Sequence, residues 1–478
     1  MNTKALRQKI LDLAIHGKLV PQDPNDEPAL VLLQRIKAEK ERLIKEGKIK
    51  RAKKLKATCD KPHYPYQLPE GWEWTTLGEV AEVITGNTPS KDIKEYYGGN
   101  IPFFKPTDLE QGIHTKYSKD RLTPLGFEQS RKLPANSVLV TCIGATIGKT
   151  GLTTVEGTCN QQINAIIPTS VIQSKYLYYV CISNYMQHKI TTNASATTLP
   201  ILNKGNFSKI AIPIPPLQEQ SRIVESIEHW LSLVDCIEES KNNLQEAIKQ
   251  TKSKILDLAI HGKLVPQDPM DEPASELLKR INPKAEIACD NGHYQKNKQF
   301  EIPSTWVLCK LGAVNEIARG GSPRPIKDYL TNEANGINWI KIGDTTKDGK
   351  YINSVKEKIR PEGVKKSRLV HKGDFLLTNS MSYGRPYILN VDGCIHDGWL
   401  VISPIGKAYT SNFLYYLLSS SFAYEQFTNV ASGGVVTNLN SDKVADTIFP
   451  LPPYTEQHRI VAKIEEIFAQ LDAIEASL

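Results

Sequence analysis

The chain has 478 residues, with 59 Lys and Arg against 52 Asp and Glu (formal charge +7), 40% hydrophobic and 23% charged residues. This composition excludes a disordered chain, a collagen-like repeat and a small disulfide scaffold. No run approaches the roughly 18 apolar residues of a membrane span, and the N-terminus lacks a signal-peptide core, so we expect a cytoplasmic protein with no membrane partner. The eight cysteines include no C-x-x-C pair, which favours reduced packing thiols over a metal site.

A strongly basic stretch follows the N-terminal helical region. Residues 37–61 contain eleven basic and four acidic side chains, so this stretch alone equals the net charge of the chain. Such a run is typical either of a solvated helix face or of an arm that contacts nucleic acid, and both interpretations stay open.

The chain contains an internal duplication. Residues 9–29 read KILDLAIHGKLVPQDPNDEPA and return at 254–274 with one change. A second pair, PIPPLQEQSRIV at 213–224 and PLPPYTEQHRIV at 450–461, repeats with nearly the same offset. Two similar halves are therefore present.

Apolar residues at alternating steps of four and three run from Gln218 to Ala259, which predicts a long helix starting after the prolines at 215–216 and ending at Gly262. The same spacing recurs from Ile460 to Leu478. Because each terminus matches one half of the central helix, we expect a circularly permuted repeat with pseudo-twofold symmetry and a long antiparallel two-helix coiled coil. A plain fusion of two domains by helical linkers would leave those half-repeats unexplained.

Two segments between the repeats, 66–215 and 300–453, share little sequence, and we call them the first and second variable segments. Runs such as 137–141 and 374–378 are rich in β-branched and apolar residues and predict strands. Helical patterns follow at 175–180 and 412–417. The predicted fold class is α+β, with two mixed α/β domains separated by the coiled coil.

Three patterns resemble catalytic motifs but differ from them in spacing or context. Residues 144–150 (GATIGKT) are one residue too short for a phosphate loop, and residues 451–454 (LPPY) carry Leu where an amino-methyltransferase motif needs a polar residue. His16 and His261 follow helix ends, where capping is favoured over general-base catalysis. We therefore expect no catalytic residue, metal site or cofactor in this chain.

Polar and basic loop residues of the variable segments are candidates for DNA contacts, because their donors and acceptors suit phosphates and base edges. In the first segment they are Thr88, Ser90, Lys91, Lys105, Thr141, Thr146, Lys149, Asn160, Gln161, Gln162, Thr197, Thr198, Asn203 and Lys204. In the second they are Arg319, Ser322, Arg324, Lys327, Lys341, Asn379, Ser380, Tyr383, Arg385, His396, Asn438 and Asn440. The segments carry only +2 and +3, so partners would supply further phosphate neutralisation.

The sequence resembles the DNA specificity (S) subunits of type I restriction-modification enzymes over essentially its whole length. The resemblance rests on the permuted repeat, the Trp72 and Trp306 openings of the variable segments, GATIGK at 144–149, and the I-P-x-P-P-x-x-E-Q-x-x-I pattern at 212–223, repeated with Phe first at 449–460. It implies the following division: a helical region with a basic extension (1–65), target recognition domain 1 (66–215), a central helix and linker (216–299), target recognition domain 2 (300–453) and a terminal helix (454–478).

The resemblance also implies a function and partners. Each recognition domain would read one half of a bipartite, asymmetric site in double-stranded DNA. Two methyltransferase (M) subunits would methylate adenines with S-adenosylmethionine, and restriction (R) subunits would use ATP and Mg. The alternative from another class is a non-enzymatic coiled-coil adaptor with two protein-binding heads, which explains the heptads but not the polar loops.

Overall fold

The structure is a computed structural model that describes residues 2–46, 64–169, 172–195, 199–288, 301–346, 349–380, 383–431 and 438–478. The chain divides into two compact units, Met1–Ser240 and Lys241–Leu478. Most of the basic stretch and the candidates Thr197 and Thr198 lie outside the described residues. In the described part, no helix is both long and apolar enough to cross a membrane.

The first unit combines helices at its edges with the strands of the first variable segment. Its helices are α1 Thr3–Ile15, α2 Ala29–Lys45, α3 Leu77–Val80, α4 Pro124–Glu128, α5 Ser174–Ile182, α6 Asn184–Thr192, α7 Lys204–Ser208 and the start of α8 Leu217–Ile260. Its strands are β1 Glu73–Thr76, β2 Ala81–Thr85, β3 Tyr97–Phe104, β4 Asp120–Leu122, β5 Val138–Thr141, β6 Thr150–Leu152, β7 Thr158–Cys159, β8 Ile163–Pro168 and β9 Ala211–Ile214.

The second unit contains the rest of α8 and a similar set of elements. Its further helices are α9 Ala274–Ile281, α10 Leu311–Val314, α11 Pro361–Val364, α12 Ser411–Leu418, α13 Ser421–Val430, α14 Ser441–Ala445 and α15 Tyr454–Ser477. Its strands are β10 Val307–Lys310, β11 Asn315–Arg319, β12 Leu330–Thr331, β13 Ile337–Ile340, β14 Tyr351–Ile352, β15 Lys358–Ile359, β16 Arg368–Val370, β17 Phe375–Thr378, β18 Pro386–Leu389, β19 Gly393–Ile395, β20 Trp399–Pro404 and β21 Ile448–Leu451.

Each variable segment is closed by a strand pair and contains two sheets. In the first, β1 pairs with β9, and the sheets have the orders β2-β8-β5-β6 and β4-β3-β7. In the second, β10 pairs with β21, and the sheets have the orders β11-β20-β17-β18-β14 and β12-β15-β13-β19-β16. Strand order β2-β8-β5-β6 thus corresponds to β11-β20-β17-β18, and the parallel pair β3–β7 corresponds to β13–β19. The two segments share a fold although their sequences diverge.

The predicted strands and helices in these segments are confirmed as β5, β17, α5 and α12. In each segment, some apolar side chains from both sheets share one buried cluster. Phe104 of β3 and Leu139 of β5 lie in one buried cluster, and Ile340 of β13 and Leu376 of β17 lie in its counterpart. The strands that carry the loops are therefore anchored in a packed interior.

The long helix α8 has the predicted bounds, because it begins after Pro215 and Pro216 and ends just before Gly262. Its predicted apolar seam is buried at some positions and exposed at others, and the buried positions include Val234 and Ile248 in the middle part of the helix. Ile223 and Ile227 are fully buried, as part of a core that also includes α1, and Ile255 is buried in the core of the second unit. The seam residues Trp230, Ile237 and Leu244, by contrast, are exposed.

Matching ion pairs join helices within each unit. In the first, Arg7 of α1 lies 2.5 Å from Asp235 and 2.9 Å from Glu238 of α8. In the second, Lys252 of α8 lies 2.5 Å from Asp472 and 3.5 Å from Glu475 of α15. The sequence duplication is therefore matched by a duplicated contact.

A buried glutamate at the start of α8 connects three parts of the first unit. Glu219 accepts hydrogen bonds from the Trp72 indole N–H (2.9 Å) and the Gln22 amide (3.1 Å). Next to it, Arg222 forms a two-bond pair with Asp26, at 3.3 and 2.6 Å. These contacts fix the opening of the first variable segment against α8.

The second unit has the same arrangement. Glu456 of α15 accepts from Trp306 (2.9 Å) and Gln267 (2.6 Å), and Arg459 pairs with Asp271. Burial raises the pKa of Glu456 above its ordinary value, against the opposing effect of these hydrogen bonds. The same balance raises the pKa of Glu219.

His16 and His261 lie at helix ends, as predicted. His16 is the C-terminal cap of α1, and its Nδ1 lies 2.7 Å from the carbonyl oxygen of Asp12. His261 follows α8, with its Nδ1 2.7 Å from the carbonyl oxygen of Asp257.

Candidate nucleic-acid interface

Parallel strand pairs bring candidate residues together in each variable segment. Phe104 of β3 is paired with Cys159 of β7, and Ile340 of β13 with Ile395 of β19. The residues that follow parallel strands leave the sheet at the same edge. Two pairs of candidates therefore meet there: Lys105 with Asn160, and Lys341 with His396.

Each of the two lysines is held in the same way. Lys105 forms an ion pair with Asp120, and its backbone N–H donates to Asp108 at 2.7 Å. Lys341 forms an ion pair with Glu357, and its backbone N–H donates to Asp344 at 2.8 Å. Both turns are thus stabilised by a carboxylate that caps the lysine backbone.

A hydroxyl from the loop after β2 in the first segment, and from the loop after β11 in the second, completes the arrangement. Thr88 donates to Gln161 at 2.5 Å, and Ser322 donates to Asp397 at 2.8 Å. Gly86 permits this approach, since a Cβ there would lie 2.2 Å from the carbonyl oxygen of Cys159. We call these matched arrangements the first and second loop sites.

The first loop site borders a cavity of about 630 Å³. Three lysines and one carboxylate contribute charge to it, and three amide, two aromatic and one hydroxyl side chain line the rest. The lining residues are Thr88, Lys91, Lys94, Tyr97, Phe103, Lys105, Asp120, Asn160, Gln161 and Gln162. Excess positive charge beside amide donors and acceptors is suited to a phosphate backbone and base edges.

The second loop site has different side chains at the same positions. Asp397 takes the place of Gln161 and lies 3.3 Å from the guanidinium of Arg324. Burial opposes ionisation of Asp397, but the hydrogen bond from Ser322 and the charges of His396 and Arg319 outweigh it and lower the pKa of Asp397. Burial also lowers the pKa of His396, although Asp397 opposes that shift.

Two regions of this chain match the family model described as "Type I restriction modification DNA specificity domain", at residues 69–246 and 303–478. The chain belongs to this family. The resemblance proposed from the sequence is thereby confirmed.

Two specificity subunits of type I restriction enzymes are similar along nearly the whole chain. The EcoAI specificity subunit of Escherichia coli is 30% identical over 97% of this chain and 88% of its own. The EcoEI specificity subunit of the same species is 27% identical over 99% of this chain and 90% of its own.

A solved structure of the HsdS subunit from Thermoanaerobacter tengcongensis covers 86% of this chain and 93% of its own, with a TM-score of 0.51 and 20% identity. A chain from a structure on complex assembly and conformational transition of the type I R-M system covers 86% and 94%, with a TM-score of 0.59 and 20% identity. These similarities show that this family member shares its fold with both.

Other described candidates lie outside the loop sites. Thr141, Thr146 and Lys149 lie at or after the end of β5, where Lys149 pairs with Glu110 at 2.8 Å. The matching loop after β17 contains or borders Asn379, Ser380, Tyr383 and Arg385. Ser90, Lys327, Lys204 and Asn438 are exposed.

Some candidates form hydrogen bonds to the backbone that stabilise the fold itself. Asn203 caps α7 by accepting from the Asn206 N–H, and Asn440 caps α14 by accepting from the Asp442 N–H. Asn379 donates to the carbonyl oxygen of Asp397 at 2.9 Å. Contact of the candidate residues with DNA stays a prediction.

Sequence reasoning missed Lys94, Tyr97 and Asp120 in the first cavity and Glu357 and Asp397 in the second site. Alignment of Asn160-Gln161 with His396-Asp397 would have pointed to Asp397. That alignment depends on matching β7 with β19, which the divergent sequences do not reveal.

Proposed function

We propose that this chain recognises a bipartite, asymmetric sequence in double-stranded DNA, with one half read by each variable segment. The duplicated loop sites carry the proposal. They keep the same lysine, carboxylate and hydroxyl framework but present Gln161 in one segment and Asp397 with Arg324 in the other. A shared framework with different contact residues suits two different half-sites. Two identical recognition domains related by a twofold axis would instead favour a palindrome.

The helices would set the distance between the half-sites. In the first unit, contacts run from Arg7 with Asp235 to Gln22 with Glu219, so α1 and α8 run in opposite directions. Contacts between α8 and α15 follow the same order in the second unit. This order supports antiparallel helix packing within each unit, as the predicted coiled coil requires, while the pseudo-twofold symmetry and the five-segment domain division remain predictions.

The chemistry would belong to partner subunits. Two M subunits would dock on the repeated helices and methylate adenines with S-adenosylmethionine, and R subunits would add ATP- and Mg-dependent cleavage. This chain would be cytoplasmic and non-catalytic. The low positive charge of the variable segments supports this division, since the partners would supply the remaining phosphate contacts.

Mapping of methylated adenines tests the proposal. The chain is expressed with the methyltransferase subunit of its own system, and genomic DNA is read by single-molecule sequencing. We expect a split motif with two unlike halves that disappears when the chain is omitted. A stable complex with unchanged methylation would contradict the proposal and favour the adaptor function.

A further inference from the structure

Arg324 projects from the loop that carries the second loop site. Its side chain is 81% exposed, and it donates to the carboxylate of Asp397 at 3.3 Å. Among the described residues this is its one hydrogen bond, so other guanidinium N–H groups point to solvent. An exposed arginine that is restrained at one end loses less conformational freedom when it binds a partner.

Asp397 is itself firmly held. Its carboxylate accepts from Ser322 at 2.8 Å, and its backbone oxygen accepts from Arg319 at 3.0 Å and Asn379 at 2.9 Å. The backbone N–H of Asp397 donates to the Ser322 hydroxyl at 3.3 Å. Asp397 therefore offers a fixed anchor for the guanidinium.

The first variable segment lacks this pair. Residues 86–90 (GNTPS) align with 320–324 (GGSPR), since Gly86 and Gly320 both approach the backbone beside the loop site. Ser90 thus occupies the place of Arg324, and Gln161 that of Asp397. The matched framework differs at these two positions in the charge and length of the side chain, so the two segments would present different hydrogen-bonding groups to base edges.

A guanidinium presents paired donors that match the O6 and N7 acceptors of guanine in the major groove. A lysine ammonium at the same place could still bind a phosphate, but it cannot reproduce the planar fork. Resting on the proposed function, we propose that Arg324 reads a guanine in the half-site of the second variable segment, and that Asp397 is a positioning residue for it.

The test selects binding sites from a random duplex DNA library with the purified complex of this chain and its methyltransferase subunits. The wild type is compared with Arg324→Lys, which keeps the charge, and with Asp397→Asn. The control is Arg280→Lys, because Arg280 is also an exposed arginine, paired with Glu272 at 2.7 Å outside the variable segments.

We expect the wild type to require a guanine at one position that Arg324→Lys no longer requires, with discrimination there reduced about 5- to 150-fold. Asp397→Asn should relax the same position less strongly, and the other half-site and the control should be unchanged. Normal far-UV circular dichroism of each variant complex would show that folding is intact.

Three results would overturn the inference while leaving the proposed function intact. The first is a wild-type half-site without a G·C pair, and the second is full discrimination by Arg324→Lys. The third is a uniform loss of affinity of Arg324→Lys for every sequence, as loss of a phosphate contact would give. If the wild type selected no sequence at all, the proposed function and the inference would fail together.

Discussion

Replacing Glu456 with alanine tests whether the buried glutamate holds the second variable segment against α15. Glu456 is fully buried, and its carboxylate accepts a hydrogen bond from the indole N–H of Trp306, which is only 3% exposed. A hydrogen bond to a charged group contributes about 1.5–3 kcal/mol, and the loss of the acceptor leaves the indole N–H buried without a partner. The Gln267 amide lies nearer the surface and can hydrogen-bond to water in the variant. Loss of its bond to Glu456 therefore adds less to the destabilisation.

We therefore expect Glu456→Ala to lower the free energy of unfolding by about 2–3 kcal/mol. Glu456→Gln keeps the size and one acceptor oxygen, so its cost should be about 1 kcal/mol or less. The control is Glu466→Ala on the same helix, where the side chain is 54% exposed and pairs with Lys463. Its cost should stay within about 0.5 kcal/mol.

Urea unfolding at pH 7, followed by far-UV circular dichroism, measures all three variants. The matching substitution in the first unit, Glu219→Ala, should give a similar loss because Trp72 and Gln22 make the same contacts there. If Glu456→Ala were no more destabilising than Glu466→Ala, the proposed anchoring role would be wrong.

Two further predictions concern the first unit. Because burial raises the pKa of Glu219 above 4.5, the folded state binds this proton more tightly than the unfolded state, so ionisation costs stability as pH rises from 4.5 through the raised pKa. Urea titrations measure the difference in the free energy of unfolding, Glu219→Gln minus wild type, and this difference should increase as the pH rises. A pH-independent difference would refute this. Gly17 has φ +65°, and a Cβ there would lie 2.4 Å from Pro69 Cγ, so Gly17→Ala should cost about 2–4 kcal/mol. Gly98→Ala, at φ +86° with open space around it, should cost about 1–2 kcal/mol, and equal losses in the same assay would exclude the clash.

Several elements followed from local sequence alone. Prolines at 215–216 and Gly262 indicated the ends of α8, because proline is disfavoured in a helix interior but tolerated at a helix start, and glycine readily adopts the left-handed conformation after a helix. The strands β5 and β17 followed from short apolar runs between polar loops. The family followed from repeated motifs that lie mostly on or beside these helices.

Periodicity predicted which face of α8 is apolar but not what covers it. Ile227 is buried, whereas Trp230, Ile237 and Leu244 on the same predicted seam are exposed. A step of three or four residues defines one side of a helix, and burial of that side depends on the neighbours that tertiary packing brings to it.

The loop sites were decided by tertiary structure. Thr88 and Gln161 are 73 residues apart in the chain, and Ser322 and Asp397 are 75 apart. They meet because β3 pairs with β7 and β13 with β19, and parallel pairing across such distances leaves no local signal in the sequence. The sequence therefore determined which residue types were available for contact with DNA, and the pairing of distant strands decided which of them stand side by side.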